Sequence, residues 1–445
     1  MRAIRRALGQ RGLRLLLTAG LISLTGDWIM RIGLAYYIYA LTGSTLASAT
    51  MLLASFIPQI VLSSVAGVFA DRWDSKRTMI ISNLLLAAGL LPLLAVHRAD
   101  EVWIIYVVTA WEGCVQQFFT PAQQSLLPSL TDDAHLVTAN ALNGQASDIS
   151  RLMGSAAGGV LAAAGGLAAL TFADFASFVL AAALIARIPA ARRTGSETVA
   201  RKSLGARLAE LRTEWAEGLS LAVLHRVLRV ILIFVAVASV GEGIMGTLFA
   251  PFVRSVLHGS SQAYGFIVSA QAVGGIAGGL IAASIGDRIR AYRLFAWGAV
   301  FFGAVDLMLF LYPLAWVTVS PAIVLMAVVG VPGALMIAGA LTLVQRHTSD
   351  SHRGRIFGAF GAVEGIAIVS GTIAAGLLGQ TIGIIPVLSA QGAGYLLAGL
   401  AALMALRHEQ GSKTGGTDES TSAGERAGDR IGIGADGPAT APPTA

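Results

Sequence analysis

The sequence GVFADRWDSKR, at residues 67–77, is a short charged segment between two long apolar runs. An altered copy, ASIGDRIR, occupies residues 283–290, and its Asp287 follows Asp71 by nearly half the length of the chain. Charge is costly inside a bilayer, so a tight turn that carries an acid beside a base suits two membrane helices that meet at the water interface. Its return half a chain later predicts a protein built from two similar halves.

The composition indicates a membrane protein. Of the 445 residues, 55% are hydrophobic and 13% are charged, and the mean hydropathy is +0.71. A soluble protein of this composition would expose large apolar patches, whereas a bilayer accepts apolar runs of about 20 residues as spans. The basic pI near 9.8 does not indicate nucleic-acid binding, because the bases lie in loops between apolar runs. The single cysteine, Cys114, excludes an intramolecular disulfide.

Twelve apolar stretches are long enough to cross a membrane as helices. Each is too long for a barrel strand and lacks two-residue alternation, so an all-α membrane protein is predicted. The first stretch contains Asp27 and runs on to Leu41, which predicts a retained span and not a cleaved signal peptide. The stretches cover about residues 13–41, 45–70, 78–97, 102–121, 141–164, 167–188, 228–253, 263–286, 292–312, 316–345, 355–379 and 384–406.

The chain is predicted to have four parts, a six-helix bundle at 1–188, a linker at 189–227, a second six-helix bundle at 228–406 and a disordered tail at 407–445. In the linker, leucines and a tryptophan recur at helical spacing, which predicts an amphipathic helix on the inner membrane surface; a solvated linker is the alternative. Lys and Arg concentrate in the termini and in alternate loops. This bias predicts cytoplasmic termini and a multi-pass protein of a bacterial inner membrane.

Four landmarks recur in the same order in the two predicted halves. One match between apolar helices is easily produced by chance, but four in order indicate parallel six-helix bundles with a site between them at the membrane midplane. The separation within each pair is nearly constant, and the pairs are Gly26-Asp27 with Gly241-Glu242, Asp71 with Asp287, Asp148 with Glu364, and Gly154 with Gly371.

These landmarks resemble the major facilitator superfamily. The pattern Gly67-x-x-x-Asp71-Arg72-x-x-x-Lys76-Arg77 is similar to the superfamily's hallmark loop between helices 2 and 3. Gly26-Asp27 and the segments PAQQSLLP (121–128), ANAL (139–142) and RGR (353–355) resemble its branch of enterobactin exporters and macrolide-efflux proteins. The resemblance covers about residues 10–406 and implies twelve transmembrane helices in two pseudo-symmetric bundles. Residues 154–159 resemble the antiporter motif of helix 5, but Ser155 stands where that motif carries proline.

Charged side chains inside the predicted spans are the first functional candidates, because burying charge in a membrane costs a few kcal/mol. Asp27 and Arg31 are four residues apart and Asp148 and Arg151 are three apart, so each pair can form an ion pair on one helical face. The structural alternative is an ion pair that only fixes helix packing.

Three glutamates have no base one helical turn away and can take up and release protons. A neutral acid satisfied by hydrogen bonds is the alternative. No histidine lies in the middle of a span, so carboxylates are the available proton carriers. Asp174 and Asp306 are interpreted as structural. The proton-coupling candidates are Asp27, Glu112, Asp148, Glu242 and Glu364.

Predicted helices 1, 4, 7 and 10 are expected to line a central cavity in this fold. Aromatic, methionine and amide groups around few charges suit a bulky amphipathic ligand, although packing explains any single aromatic equally well. The predicted lining consists of Trp28, Arg31, Thr109, Gln116, Phe119, Ser239, Met245 and Phe249.

Gating is assigned to the hallmark loop, its copy and nearby bases. Glycine-rich runs let helices 5 and 8 approach closely and slide during gating; static packing is the alternative. The resemblance implies that Asp71 latches the cytoplasmic side in the outward-facing state. The predicted gating residues are Gly67, Asp71, Arg72, Lys76, Arg77, Asp287, Arg288, Arg151, Arg353 and Arg355.

The sequence therefore predicts an exporter that moves an amphipathic small molecule, such as a drug, siderophore or secondary metabolite, outward in exchange for protons. It is expected to be monomeric, to need no cofactor and to bind no nucleic acid. No phosphate-binding glycine loop, metal-spaced histidine cluster or nucleophile–base pair occurs, so neither an enzyme nor an ATP-driven pump is predicted. An uptake permease of the same fold and a non-transporting membrane sensor remain alternatives.

Overall fold

The computed structural model describes residues 9–70, 74–131, 136–189, 204–285, 288–348 and 350–407. Within these ranges all regular elements are helical. Short 3-10 or π turns follow or precede some helices, at Leu91–Ala95, Ala99–Glu101, Phe252–Val256 and Tyr312–Leu314. The helices are α1 (Arg11–Thr42), α2 (Thr45–Ala70), α3 (Ser75–Leu90), α4 (Trp103–Ser129), α5 (Leu136–Ala186), α6 (Leu204–Leu224), α7 (Arg226–Pro251), α8 (Ser261–Ile285), α9 (Ala291–Leu311), α10 (Ser320–Arg346), α11 (Asp350–Thr381) and α12 (Ile384–Arg407).

Helix α5 is two antiparallel limbs joined at Gly166. That residue has φ 58° and ψ −147°, a conformation open to glycine and unfavourable for other residues. Contacts with α1 show the reversal. In the first limb Gly154 meets Thr25 and Gly158 meets Ile29, so this limb runs parallel to α1. In the second limb Leu170 meets Gly33 and residue 177 meets Gly26, so the order is reversed. The limbs are two spans, as the stretches 141–164 and 167–188 predict.

Nine helices in the described part of the chain are long and apolar enough to cross a membrane, and Thr138–Ala186 counts as one of them although it folds back. Helix α4 is not among the nine, because Glu112 and four glutamines make it more polar. The prediction of an all-α, multi-pass membrane protein is confirmed. The division into twelve spans and two six-helix bundles stays a prediction.

The sequence repeat corresponds to a repeated helix crossing. Gly154 of α5 lies against the carbonyl oxygen of Thr25 on α1, and Gly371 of α11 lies against that of Val240 on α7, so closely that a Cβ at either glycine would overlap the oxygen. Val240 follows Thr25 by the same number of residues as Gly241 follows Gly26, so the two carbonyl groups occupy matching positions in the repeat. Helices α1 and α5 therefore cross in the same way as α7 and α11.

The helices of the two predicted halves meet along α5–α8 and α2–α11. At one end of the molecule, hereafter the closed end, hydrogen bonds join the halves. The Thr45 hydroxyl donates to the Gly376 carbonyl oxygen over 2.9 Å, and the Gln380 amide donates to the Ser44 hydroxyl over 2.7 Å. The central cleft between the halves is shut there.

The opposite end, hereafter the open end, holds the starts of α1, α7 and α11 and the end of α12. Here one face of α5 and one face of α11 border open space, because a Cβ at Gly144, Gly358 or Gly361 would meet nothing within 4 Å. Asp148 is likewise exposed. The cleft is therefore open at the end where the first and last described residues of the chain lie.

The predicted linker helix is present as α6, and it packs against the first turns of α11. A Glu217–Arg355 ion pair of 2.8 Å joins the two helices, and Gly218 lies against the carbonyl oxygen of Arg355. Ala222 is fully buried beside Ile356 in the same apolar cluster. One face of α6 is thus docked on the bundle; its placement on a membrane surface stays a prediction. The tail predicted to be disordered lies outside the described residues beyond Arg407.

Candidate functional site

A cavity of about 290 Å³ lies between α1, α2, α3, α4 and the second limb of α5. All of its lining residues belong to the first predicted half, whereas the sequence predicted a cavity lined by both halves. Its apolar wall includes Met30, Leu34, Met51, Leu52, Phe56 and Leu86. Its polar lining consists of Asp27, Arg31, Ser55, Thr109, Glu112, Gln116, Gln117 and Asp174.

Asp27 enters this cavity from α1. The amide of Gln116, on α4, lies 3.5 Å from Asp27 Oδ2 and donates to it. Gly26 allows α1 to approach α5 here, because a Cβ at residue 26 would overlap the side chains of Asp174 and Ser177. The small residue before Asp27 therefore sets the depth at which its carboxyl reaches the cavity.

Three carboxyl groups from three helices share the cavity. Asp27, Glu112 and Asp174 are close enough for their charges to act on one another. Asp174 is fully buried; the Ser177 hydroxyl donates to its Oδ1 over 2.9 Å, and its Oδ2 has no hydrogen-bond partner. Buried carboxyls without a matching set of donors bind protons or cations, because the isolated negative charges are costly.

The predicted Asp27–Arg31 ion pair is not formed, since no nitrogen of Arg31 lies within 4 Å of the Asp27 carboxyl in the described structure. The Arg31 guanidinium carbon instead lies 5.4 Å from the centroid of the Trp28 ring, in a cation–π contact. Trp28 thus positions a base beside the cavity. The prediction was wrong because Asp27 turns toward Gln116, which helix spacing alone does not reveal.

The second predicted pair is also absent from the part of the chain that the structure describes. Asp148 is exposed near the open end of α5, whereas Arg151 is half-buried and its Nε has no hydrogen-bond partner. Arg151 faces the central cleft, where its charge acts on Glu242 of α7. The one-turn spacing was therefore a poor guide to its partner.

A second charged group lies in the central cleft. Glu242 is exposed there, and the charges of Arg31, Arg151 and Glu364 act on it. These side chains come from α7, α1, α5 and α11, so the cleft brings together candidates from both predicted halves.

Several residues predicted to line the cavity are instead packed in the apolar core. Phe119 is buried beside Ala122 and Leu126, and Phe249 stacks near Phe252 and Tyr264 toward the closed end. These two assignments were wrong, because α4 and α7 contact other helices on several faces and a helical period does not show which face borders a cavity. Thr109 lines the cavity, Ser239 is buried and Met245 is half-buried on α7.

The gating residues that the structure describes mostly make local contacts at the open end. Lys76 Nζ donates to the Ile188 carbonyl oxygen over 2.6 Å, and Asp74 caps α3 by accepting from the Arg77 amide over 2.8 Å. Arg288 is exposed. Gly67 lies in α2, whereas Asp71, Arg72, Asp287 and the Arg353 side chain lie outside the described residues.

Sequence reasoning missed two features. Asp174 lines the cavity although it was interpreted as structural; its position against Gly26 was the available signal. The other is a contact at the closed end, where the Tyr36 hydroxyl donates to the Gly259 carbonyl oxygen over 2.9 Å and accepts from Arg254 Nη1 over 3.2 Å. No motif in the sequence marks that contact.

The sequence is similar to a family of membrane proteins and to several of its relatives. A family model described as transmembrane secretion effector matches residues 6–419. The chain is 26% identical over 380 residues to the uncharacterized MFS-type transporter YfiS of Bacillus subtilis, an alignment that covers 84% of this chain and 88% of YfiS.

The names of two further relatives state what those proteins transport. The chain is 27% identical over 172 residues to macrolide efflux protein A of Streptococcus pyogenes, covering 38% of this chain and 42% of that protein. It is 28% identical over 141 residues to the staphyloferrin A transporter of Staphylococcus aureus, covering 31% and 36%. Each alignment therefore spans less than half of the relative.

Solved structures share the fold. A bacterial homologue of the iron transporter ferroportin, in an inward-facing state, superposes with a TM-score of 0.69 at 16% identity, covering 89% of this chain and 98% of that one. A bacterial homologue of the lysosomal transporter Spinster, inward-facing and unoccupied, gives 0.64 at 13% identity, covering 88% and 95%. At such identities the likeness concerns the fold alone.

Proposed function

The chain belongs to the transmembrane secretion effector family, so it is a membrane transporter and not an enzyme, and we propose that it exports an amphipathic small molecule in exchange for protons. The observation that carries this proposal is the group of Asp27, Glu112 and Asp174 around one apolar-walled cavity. Carboxyls in such a place hold either protons or a cationic part of a cargo, and alternation between the two couples their movements.

Alternating access is the mechanism that the two ends support. Hydrogen bonds across the closed end shut the cleft, whereas glycines of α5 and α11 border open space at the open end. Rocking of the predicted halves, 1–188 and 228–406, about the α5–α8 and α2–α11 contacts exchanges which end is open. The close glycine crossings keep each half rigid during this motion.

We assign the open end to the cytoplasm of a bacterial cell, with both termini on that side of the inner membrane. Lys76, Arg77, Arg288 and Arg355 lie there, which agrees with the preference of Lys and Arg for cytoplasmic loops. The transporter works as a monomer in this proposal, because one chain contains both the cavity and the cleft.

In the export cycle, cargo enters the cleft from the cytoplasm and reaches the cavity beside Asp27 and Glu112. The charge of Arg31, held on Trp28, acts on the carboxyls from a distance without an ion pair, and cargo and protons compete for their negative charge. After the closed end opens and cargo leaves, protons bind the carboxyls and the empty carrier returns inward. Glu242 and Glu364 in the cleft give protons a route between the halves.

Inverted membrane vesicles test this function. A pH gradient, acid inside, is expected to drive uptake of a fluorescent amphipathic probe such as ethidium, and nigericin is expected to abolish it. Asp27→Asn and Glu242→Gln are expected to lose proton-driven uptake, whereas Asp306→Asn, a buried residue hydrogen-bonded to Gln391, retains it. Unaltered proton-driven uptake by the first two variants would remove those residues from the mechanism.

A further inference from the structure

The cavity of the first half has a feature that the cycle above does not use. Asp174 is 0% exposed and lines the cavity, yet only Oδ1 is hydrogen-bonded, to Ser177, and Oδ2 is left without a partner. Buried carboxyl oxygens are rarely left unpaired, because each missing hydrogen bond costs about 1–3 kcal/mol. Because Asp174 lines a cavity, a group bound there can complete the coordination of this oxygen.

The second half has an amide at the same position, and its Oε1 is also without a hydrogen-bond partner, but it does not line the first-half cavity. Gly241, the counterpart of Gly26, lies against Gln391 of α12, which matches the position of Asp174 in the sequence repeat. Gln391 Nε2 donates over 3.0 Å to Asp306, itself 2% exposed. In the second half the Gln391 amide therefore hydrogen-bonds to the Asp306 carboxyl. In the first half Asp174 occupies the position that corresponds to Gln391.

The charge balance of the first-half cavity selects for a cation. Asp27, Glu112 and Asp174 supply three carboxyls, and Arg31 supplies the one guanidinium among the lining residues. When these carboxyls are ionised, they repel an anionic cargo strongly, because the site has a low dielectric constant. A cationic group is attracted by the same charges.

The apolar walls of the cavity indicate which chemical groups the ligand carries besides its cationic group. Met30, Met51 and Phe56 belong to an apolar lining that suits hydrocarbon or aromatic groups, and methionine adapts to varied shapes. The volume of about 290 Å³ lies at the small end of ligand pockets. The occupant is therefore lipophilic.

We infer that the first-half cavity binds a lipophilic cation and that Asp174 is a cargo-binding residue, with its free oxygen directed to the cationic group. This inference rests on the proposed export function and specifies its cargo class. It also assigns different roles to two buried aspartates that the sequence alone treats alike, because Asp174 binds cargo and Asp306 is structural.

Tetraphenylphosphonium and tetraphenylborate provide the probes, since they have the same shape and opposite charge. Equilibrium dialysis of the purified full-length protein in detergent is expected to show saturable binding of the phosphonium only. Asp174→Asn should weaken that binding by about tenfold or more, as loss of a charged partner does. Asp306→Asn, the matched control, should leave it within about twofold.

Equal binding of the two probes, or unchanged phosphonium affinity in Asp174→Asn, would overturn the inference. If that variant does not fold, the unmodified protein gives the answer through carbodiimide labelling mapped by mass spectrometry. Saturating phosphonium should protect Asp174; labelling there that is absent or unprotected counts against the inference. Binding in detergent requires no transport, so a protein that binds the phosphonium without moving protons would contradict the proposed function and leave this inference intact.

Discussion

The hydroxyl of Tyr36 on α1 donates to the carbonyl oxygen of Gly259, 2.9 Å away in the turn before α8, and joins the two predicted halves at the closed end. Arg254 donates to the same hydroxyl over 3.2 Å and stacks on the Tyr36 ring. Tyr36 therefore contacts both sides of the turn between α7 and α8. The hydroxyl must be released before the closed end can open.

Tyr36→Phe removes these two hydrogen bonds and keeps the ring. We expect the closed end to open more often, which should increase labelling of a Glu242→Cys reporter by an impermeant maleimide added outside intact cells, in a Cys114→Ser background. Two lost bonds correspond to roughly 1–3 kcal/mol and a severalfold change or more in population. The control is Tyr37→Phe, whose hydroxyl bonds to Val96 within the first half over 3.3 Å; equal labelling in the two variants contradicts this role.

Ser44 and Gln380, whose side chains bond over 2.7 Å, provide a lock for the closed end. Beside this pair, a Thr45→Cys/Gly379→Cys double variant without Cys114 is expected to cross-link on oxidation, because a Cβ at residue 379 would lie 3.2 Å from the outer atoms of the Thr45 side chain. Cross-linked protein should not transport, and reduction should restore activity. Each single-cysteine variant should be unaffected by oxidant. Full transport by completely cross-linked protein would show that the closed end need not open.

The glycine crossings predict opposite effects of the same substitution. Gly154→Ala and Gly371→Ala place a Cβ against a backbone carbonyl and should each lower the free energy of unfolding by about 1–3 kcal/mol. Gly361→Ala, with open space around its Cβ, should raise it by about 0.5–1 kcal/mol through helix propensity. Unfolding in detergent mixtures measures both. A shared sign for all three variants would contradict the repeated close crossing.

Glu101 gives a pH-dependent prediction outside the membrane spans. Its carboxylate accepts from the backbone amides of His97 and Arg98 over 2.6 and 2.9 Å, which lowers the pKa of Glu101. Its stabilising effect is therefore present above the unfolded-state pKa and is lost as pH falls through the lower folded-state pKa. Glu101→Gln should lower Tm at pH 7 and have little effect near about pH 3.

The control for that experiment is Asp100→Asn. Asp100 forms an exposed ion pair with Arg98 at 3.3 Å, and such surface pairs contribute little to stability. Its Tm should change less than that of Glu101→Gln at pH 7. A Glu101→Gln effect of the same size at both pH values would exclude the carboxylate as its cause.

The all-α membrane architecture was predictable because apolar length and the absence of two-residue alternation leave few other solutions. The repeat was predictable too, since Gly154 and Gly371 reproduce one crossing at matching positions. The second limb of α5 followed from apolar length. The length of the apolar run over α4 did not show that the glutamines of this helix lower its mean hydropathy below that of an ordinary span.

The site was less predictable, because contacts between helices decide where a side chain points. Asp27 and Glu112 were found from the cost of membrane charge, and they do line one cavity. Phe119 shares their predicted face and is nevertheless packed in the core. Asp174 was dismissed since its environment depends on Gly26, which lies on α1, far earlier in the chain.

Proton movement by the purified protein in sealed liposomes tests the central claim most directly. With a pH-sensitive dye inside and no other ion gradient, a tetraphenylphosphonium gradient is expected to move protons in the opposite direction. Glu112→Gln should abolish the proton signal. Phosphonium flux that exceeds the passive leak into protein-free liposomes and yet carries no protons would contradict exchange at these carboxyls.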